Sequence, residues 1–211
     1  SIILSYIHFG DDFPADYARS LWEDGKIMEL TYQLTTSNNE NLLDYTPQLD
    51  VYRGLYDDEI RFLARAVADF GHPLLFRLGN EMNSDWTSYS GVVNMCDPEL
   101  YISVWQKIYT IFQEEGATNA IWIYNPNDRA FPPCNWNSFL AYYPGNEYVH
   151  MIGITGYNNG TYYKKQNNEV WRSFKDIYDP IEEEYLPFFS QFPWIITEFA
   201  SSSIGGDKAA W

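Results

Sequence analysis

Short apolar runs alternate with longer amphipathic stretches along the whole chain. IILSYIHF (2–9), KIMELTYQL (26–34), PLLFRL (73–78), AIWIYN (120–125), HMIGITGY (150–157) and WIITEF (194–199) have the length and β-branched or aromatic content of buried strands. Between them lie helix-like stretches: PADYARSLWEDG (14–25), LYDDEIRFLARAVADFG (55–71), YISVWQKIYTIFQEEG (101–116) and a segment around 169–191. In the second, Ile60, Leu63, Ala64 and Val67 recur at helical spacing, with Asp57 and Asp58 in the first turn and Gly71 just past the end. In the third, Tyr101, Val104, Trp105, Ile108 and Phe112 share a face, and Asp97-Pro98-Glu99 reads as N-cap, first helical position and first-turn acid. The stretch between 34 and 55 reads as a polar loop, and the last residues, to Trp211, as the start of another helix.

Strands joined by helical or long crossovers imply an α/β fold with a parallel sheet covered by helices. A doubly wound sheet and a (β/α)8 TIM barrel both satisfy that pattern. No glycine-rich phosphate-binding turn follows any strand, which weighs against a nucleotide-binding sheet. The chemically informative polar residues fall at the C-terminal ends of strands: His8, Asn80-Glu81, Asn125, Tyr157 and Glu198. That is the rim on which barrel enzymes build their sites. No internal repeat or linker breaks the 211 residues, so residues 1–211 are expected to form a single domain.

Composition narrows the partners. The chain carries 13 basic and 29 acidic residues, a net charge of −16, which disfavours nucleic acid and anionic membranes. Aromatics make up 18%, suited to core packing and also to stacking on flat ligand faces. No apolar stretch is long enough to span a bilayer, and no secretory signal is visible. His8, His72 and His150 are scattered without ligand spacing, so no metal or other cofactor is expected. Cys96 and Cys134 fall in the loops after the third and fourth strand runs, where either a bridge or two separate thiols would fit.

Glu81 and Glu198 end two strands three units apart. Two carboxylates over one barrel mouth are the parts of a retaining glycosidase, in which one attacks the anomeric carbon and the other manages the proton, with carboxyl groups about 5–5.5 Å apart. Two rim carboxylates in ordinary ion pairs would look the same by position.

The blocks RLGNEMNSDW, IWIYNPN, YYPGNEYVHMIGITGYN and WIITEFA resemble, in order and spacing, those of glycoside hydrolase family 26, which belongs to the clan of (β/α)8 retaining glycosidases. IHFGDDFPADYARSLWEDGKIMELTYQ resembles the second and third barrel strands, and GLYDDEIRFLARAVADFGHPLLFR the approach to the fourth. The resemblance covers nearly the whole chain. It implies an incomplete barrel with strands two to seven present, the blocks for the first and last strands being absent, as if the chain were cut from something longer. Such a remnant would expose two sheet edges.

Carried over by position, the resemblance makes Glu81 the general acid/base and Glu198 the nucleophile. Tyr157 matches a tyrosine that hydrogen-bonds the nucleophile, and Trp86 a sugar-contacting tryptophan. Tyr89 and His8 are expected beside the sugar as well. Arg77, four residues before Glu81, shares its barrel-facing side; it is counted with the substrate-binding residues and expected to keep carboxylates ionised, with a plain interior ion pair as the alternative. Strict alternation would set Asn80 and Glu81 on opposite faces, so an irregularity is expected where the strand ends. Trp122 is expected in the core or behind the site, supporting the residues that touch the sugar.

Asn80 stands where many mannan-cleaving members carry histidine. The Asn-Glu pair is the wider clan's pattern, in which the amide binds an equatorial 2-hydroxyl. Mannose carries that hydroxyl axially. The expected substrate is therefore a β-1,3-1,4-glucan such as lichenan, cleaved by endo attack, with β-mannan or β-1,3-xylan as the alternatives. A glycan-binding protein on a degenerate hydrolase scaffold is the rival class, although binding alone does not need paired carboxylates. A polysaccharide-degrading enzyme is expected to be secreted and monomeric.

Overall fold

The computed structural model describes residues 1–36 and 47–211. Six parallel strands form one sheet in sequence order: β1 (Ile2–Phe9), β2 (Ile27–Thr36), β3 (Leu74–Leu78), β4 (Ala120–Tyr124), β5 (Met151–Asn158) and β6 (Trp194–Ser201). Each strand pairs with the next, and none of the pairs joins β1 to β6. The result is an incomplete barrel with helices on its outside, and β1 and β6 are its edges.

The helices follow their sequence signals closely. α1 (Ala15–Glu23) links β1 to β2. α3 (Asp57–Phe70) buries Ile60, Leu63, Ala64, Val67 and Phe70, and stops at Gly71, whose φ of 72° a side chain would strain. α4 (Pro98–Glu114) starts where the Asp97 carboxylate accepts the Glu99 N–H at 3.0 Å, and it buries the Tyr101–Phe112 face. α4 closes the core around Trp122, which lies in the core as expected. The Trp122 ring meets Phe76, Phe112 and Trp105 edge-on at 4.8, 5.1 and 5.5 Å between centroids.

Three readings of the sequence are corrected. The stretch read as a polar loop before α3 contains α2 (Pro47–Arg53), which buries Pro47, Gln48 and Val51; residues 37–46 of that loop lie outside the described residues. A helix of two turns shows too little periodicity to stand out. After β5, a short α5 (Lys164–Asn167) is followed by irregular chain, and α6 spans Phe174–Phe189 rather than beginning near 169. Ser173 and Asp176 form a reciprocal capping box that sets its start, releasing Glu169 and Arg172 to the rim. Beyond β6 the chain runs through bends and a turn instead of a new helix, and the Trp211 indole donates to the Arg172 carbonyl at 2.9 Å.

Candidate active site

Two backbone irregularities aim the two carboxylates. At the end of β3, Gly79 and Glu81 both take left-handed φ, 50° and 58°. This is the irregularity that strand alternation required at Asn80-Glu81. A non-glycine residue held there costs about 1–3 kcal/mol and persists only where its surroundings enforce it. Here the Glu81 N–H donates to the Asn125 carbonyl at 2.8 Å, while the Tyr101 hydroxyl bonds the Leu78 and Gly79 carbonyls. On β6 the register slips: Ile196 faces Ile154, yet Glu198 faces Thr155, so Thr197 is the extra residue of a bulge. Its hydroxyl donates to the Ile154 carbonyl at 2.9 Å and to Asn125 Oδ1 at 3.1 Å. Asn125 thus ties the Glu81 backbone to the residue before Glu198.

Glu198 sits in a basket of donors. Arg77 Nη1 is 2.7 Å from its Oε1, the Tyr6 hydroxyl donates to Oε1 at 2.8 Å, and the Tyr157 hydroxyl donates to Oε2 at 2.6 Å. Burial alone would raise its pKa, but the Arg77 charge and the tyrosine hydrogen bonds outweigh it, and Glu198 is held below the ordinary carboxylate range. Tyr6 comes from the edge strand β1, so the two barrel edges meet through side chains at this carboxylate. Burial raises its phenol to about 12, which keeps it a donor.

Glu81 has the opposite environment. It is almost wholly buried, and burial is the largest influence, pushing its pKa up; the negative charge of Glu198 adds to the rise. Asn127 Nδ2 and the Trp86 indole N–H donate to its Oε2 at 2.7 and 3.1 Å and only partly offset that rise. Asn80 Nδ2 lies 3.3 Å from Oε1. The two carboxylates are thus shifted in opposite directions, Glu198 down and Glu81 up.

Arg77 is fully buried. Its Nε donates to Thr31 Oγ1 at 2.7 Å, its Nη1 to Asn125 Oδ1 at 2.8 Å and its Nη2 to the Tyr6 hydroxyl at 3.1 Å. Glu29 Oε1 is a further 3.3 Å from Nε. The expectation that Arg77 contacts sugar is therefore corrected: it lies beneath the site and acts on carboxylates. Tyr89 is corrected likewise. It is 0% exposed and its hydroxyl donates to Asn80 Oδ1 at 2.9 Å, so it reaches a ligand only through Asn80. His8 stands one residue back from the cleft, with Nε2 2.9 Å from Gln33 Oε1 and Nδ1 3.2 Å from Asp11 Oδ2.

A cleft of about 670 Å³ joins Glu81, Glu198, Asn80, Trp86 and Tyr157, the remaining residues singled out from the sequence. Trp86, 48% exposed, lines it. The cleft also takes in residues the sequence did not mark for this site: Tyr6, Gln33, Arg129, Phe131 and Arg172. Arg129 pairs with buried Glu169 at 2.7 Å and lies 5.2 Å over the Phe131 ring, and Arg172 pairs with Asp128. Cys96 and Cys134 are both free thiols.

Comparison with known proteins agrees with this architecture. The model of the glycosyl hydrolase family 26 matches residues 20–183. Endoglucanase H of Acetivibrio thermocellus is 32% identical over all of this chain, which spans 22% of that protein. A mannan endo-1,4-β-mannosidase of Bacillus subtilis is 28% identical over 68% of the chain and 43% of the relative. The chain therefore spans less than half the length of either. Among solved structures, a family 26 β-mannanase from Bacteroides ovatus superposes with a TM-score of 0.66 at 16% identity, covering 95% of this chain and 62% of its own, a likeness of fold. With the family model covering most of its length, this chain belongs to glycosyl hydrolase family 26.

Proposed function

We propose that this chain carries the catalytic centre of a retaining, endo-acting β-glycosidase, with Glu198 as nucleophile and Glu81 as acid/base. The observation that carries the reading is the opposed environment of the two carboxylates. A nucleophile must be ionised at the moment of attack, and Arg77, Tyr157 and Tyr6 hold Glu198 in that state. An acid must still hold its proton, and burial beside another negative charge favours that in Glu81. In the first step Glu198 attacks the anomeric carbon while Glu81 protonates the departing oxygen. In the second, Glu81 takes a proton from water, which attacks the same carbon and releases Glu198.

The favoured substrate is a β-1,3-1,4-glucan. Asn80 lies beside Glu81, where an amide suits the equatorial 2-hydroxyl of a gluco-configured ring. Similarity to an endoglucanase over the whole chain supports this choice. β-Mannan is the second reading, supported by the mannosidases among the relatives. We read residues 1–211 as part of one catalytic domain of a secreted, monomeric protein, which fits a polymeric substrate. Comparing kcat/KM on barley β-glucan, glucomannan and β-1,3-xylan tests the reading. Preference for β-glucan supports it, preference for mannan replaces the substrate, and binding without hydrolysis would make the chain a glycan-binding protein.

A further inference from the structure

Two donors converge on one atom of Asn80. The Tyr89 hydroxyl donates to Oδ1 at 2.9 Å and Gln33 Nε2 donates to the same oxygen at 3.2 Å. Gln33 is itself oriented, because its Oε1 lies 2.9 Å from His8 Nε2. Tyr89 is fully buried, and burial holds its phenol well above the usual range, so it remains a donor. The Gln48 side-chain amide in turn donates to the Tyr89 carbonyl, anchoring the ring from α2. With both donors on Oδ1, the amide has one orientation left, and its NH2 group lies toward Glu81 Oε1.

We propose that Tyr89 and Gln33 are positioning residues that fix the Asn80 amide with its oxygen inward, so that Asn80 meets the sugar only as a hydrogen-bond donor. This rests on the reading of Asn80 as the contact to the 2-hydroxyl of the ring being cleaved. An unclamped amide could present either edge to that hydroxyl. The clamped one requires the hydroxyl oxygen to accept, which leaves the hydroxyl's own proton to point toward a carboxylate. Preorganised donors are worth most where charge develops, so the clamp should act on kcat more than on KM.

The test uses the whole chain and two probes: 2,4-dinitrophenyl β-cellobioside, and its analogue lacking the 2-hydroxyl on the ring that bears the aryl group. Tyr89→Phe and Gln33→Met should each lower kcat/KM on the first probe about tenfold, mostly in kcat, the order of one hydrogen bond lost. The double variant should approach Asn80→Ala. On the 2-deoxy probe all of these variants should fall within about twofold of the wild type, because the group they serve is gone. Equal losses of the clamp variants on both probes would overturn the clamp and leave Tyr89 and Gln33 as packing residues. Equal losses of Asn80→Ala on both would instead overturn the 2-hydroxyl reading beneath it. Gln33 is half-buried in the cleft wall, so Gln33→Met carries the test even if Tyr89→Phe perturbs folding. No turnover of either probe by the wild-type chain would overturn both readings.

Discussion

Arg77 Nη1 lies 2.7 Å from Glu198 Oε1, deep enough in the barrel that the arginine has no exposed surface. Burial disfavours the charge on Arg77, but Glu198 and Glu29 outweigh it and raise its pKa. One cation thereby holds two carboxylates, and Glu198, half-buried where Glu29 is fully buried, is the one that opens onto the cleft.

The first prediction concerns pH. With Glu198 below the ordinary carboxylate range and Glu81 above it, kcat/KM should be bell-shaped, lost on the acid side as Glu198 protonates and on the basic side as Glu81 ionises. Arg77→Met should move the acid limb upward. Stability should change with it. Glu198 now stabilises the fold above its unfolded pKa, and that contribution is lost as pH falls through its depressed folded value. Without Arg77 the buried carboxylates are favoured only when protonated, so the variant's Tm should fall as pH rises. Leaving them unpaired should cost about 3–5 kcal/mol near neutral pH. Denaturation across pH checks the sign.

Tyr157→Phe and Tyr6→Phe each remove one hydrogen bond to Glu198. A hydrogen bond to a charged group is worth about 1.5–3 kcal/mol, so kcat should fall roughly tenfold to a hundredfold. The acid limb should also move upward in both variants. Loss of kcat with an unmoved acid limb would mean that the tyrosines serve only the packing of the cleft.

Glu81→Ala should abolish most turnover of β-glucan, yet an activated aryl glycoside should be partly rescued by azide. Its leaving group needs no proton, and azide attacks the glycosyl-enzyme without a base. Glu198→Ala should show no such rescue with retained stereochemistry; rescue of that kind would reverse the two roles.

Asn80→His should lower kcat/KM on β-glucan by about a hundredfold, roughly 3 kcal/mol, the order of one transition-state hydrogen bond. Mannan turnover should fall less or appear weakly. Equal losses on both polymers, with the fold intact, would move the preference to mannan.

Much of this was legible in the sequence, and the limits are physical. The six strands were readable as short apolar runs, and the signal is most continuous where both faces are buried, as in Leu74–Leu78. The paired glutamates were readable because each interrupts the chain just past or late in such a run, Glu81 after Leu78 and Glu198 within Trp194–Ser201. What could not be read depends on distant partners. Tyr6 and Glu29 look like ordinary strand residues until the barrel brings them to Arg77. Gln33 gained a role only from Asn80, 47 positions away. Tyr89 was expected at the sugar because it follows Trp86 closely, yet the loop after Glu81 leaves one ring half-exposed and buries the other. His8 fell short of the cleft because Gln33 stands between them.

In the proposed mechanism Glu198 forms the covalent bond to the sugar. A 2-deoxy-2-fluoro cellobioside with a dinitrophenyl leaving group slows breakdown of the glycosyl-enzyme more than its formation, so the intermediate accumulates. Proteolysis and mass spectrometry of the labelled chain then locate the sugar. A single added 2-deoxy-2-fluorocellobiosyl group is expected on the peptide containing WIITEFA, at Glu198, and none on that peptide in Glu198→Ala. A label on Glu81, or a folded chain that turns over the parent glycoside yet takes up no label, would contradict it.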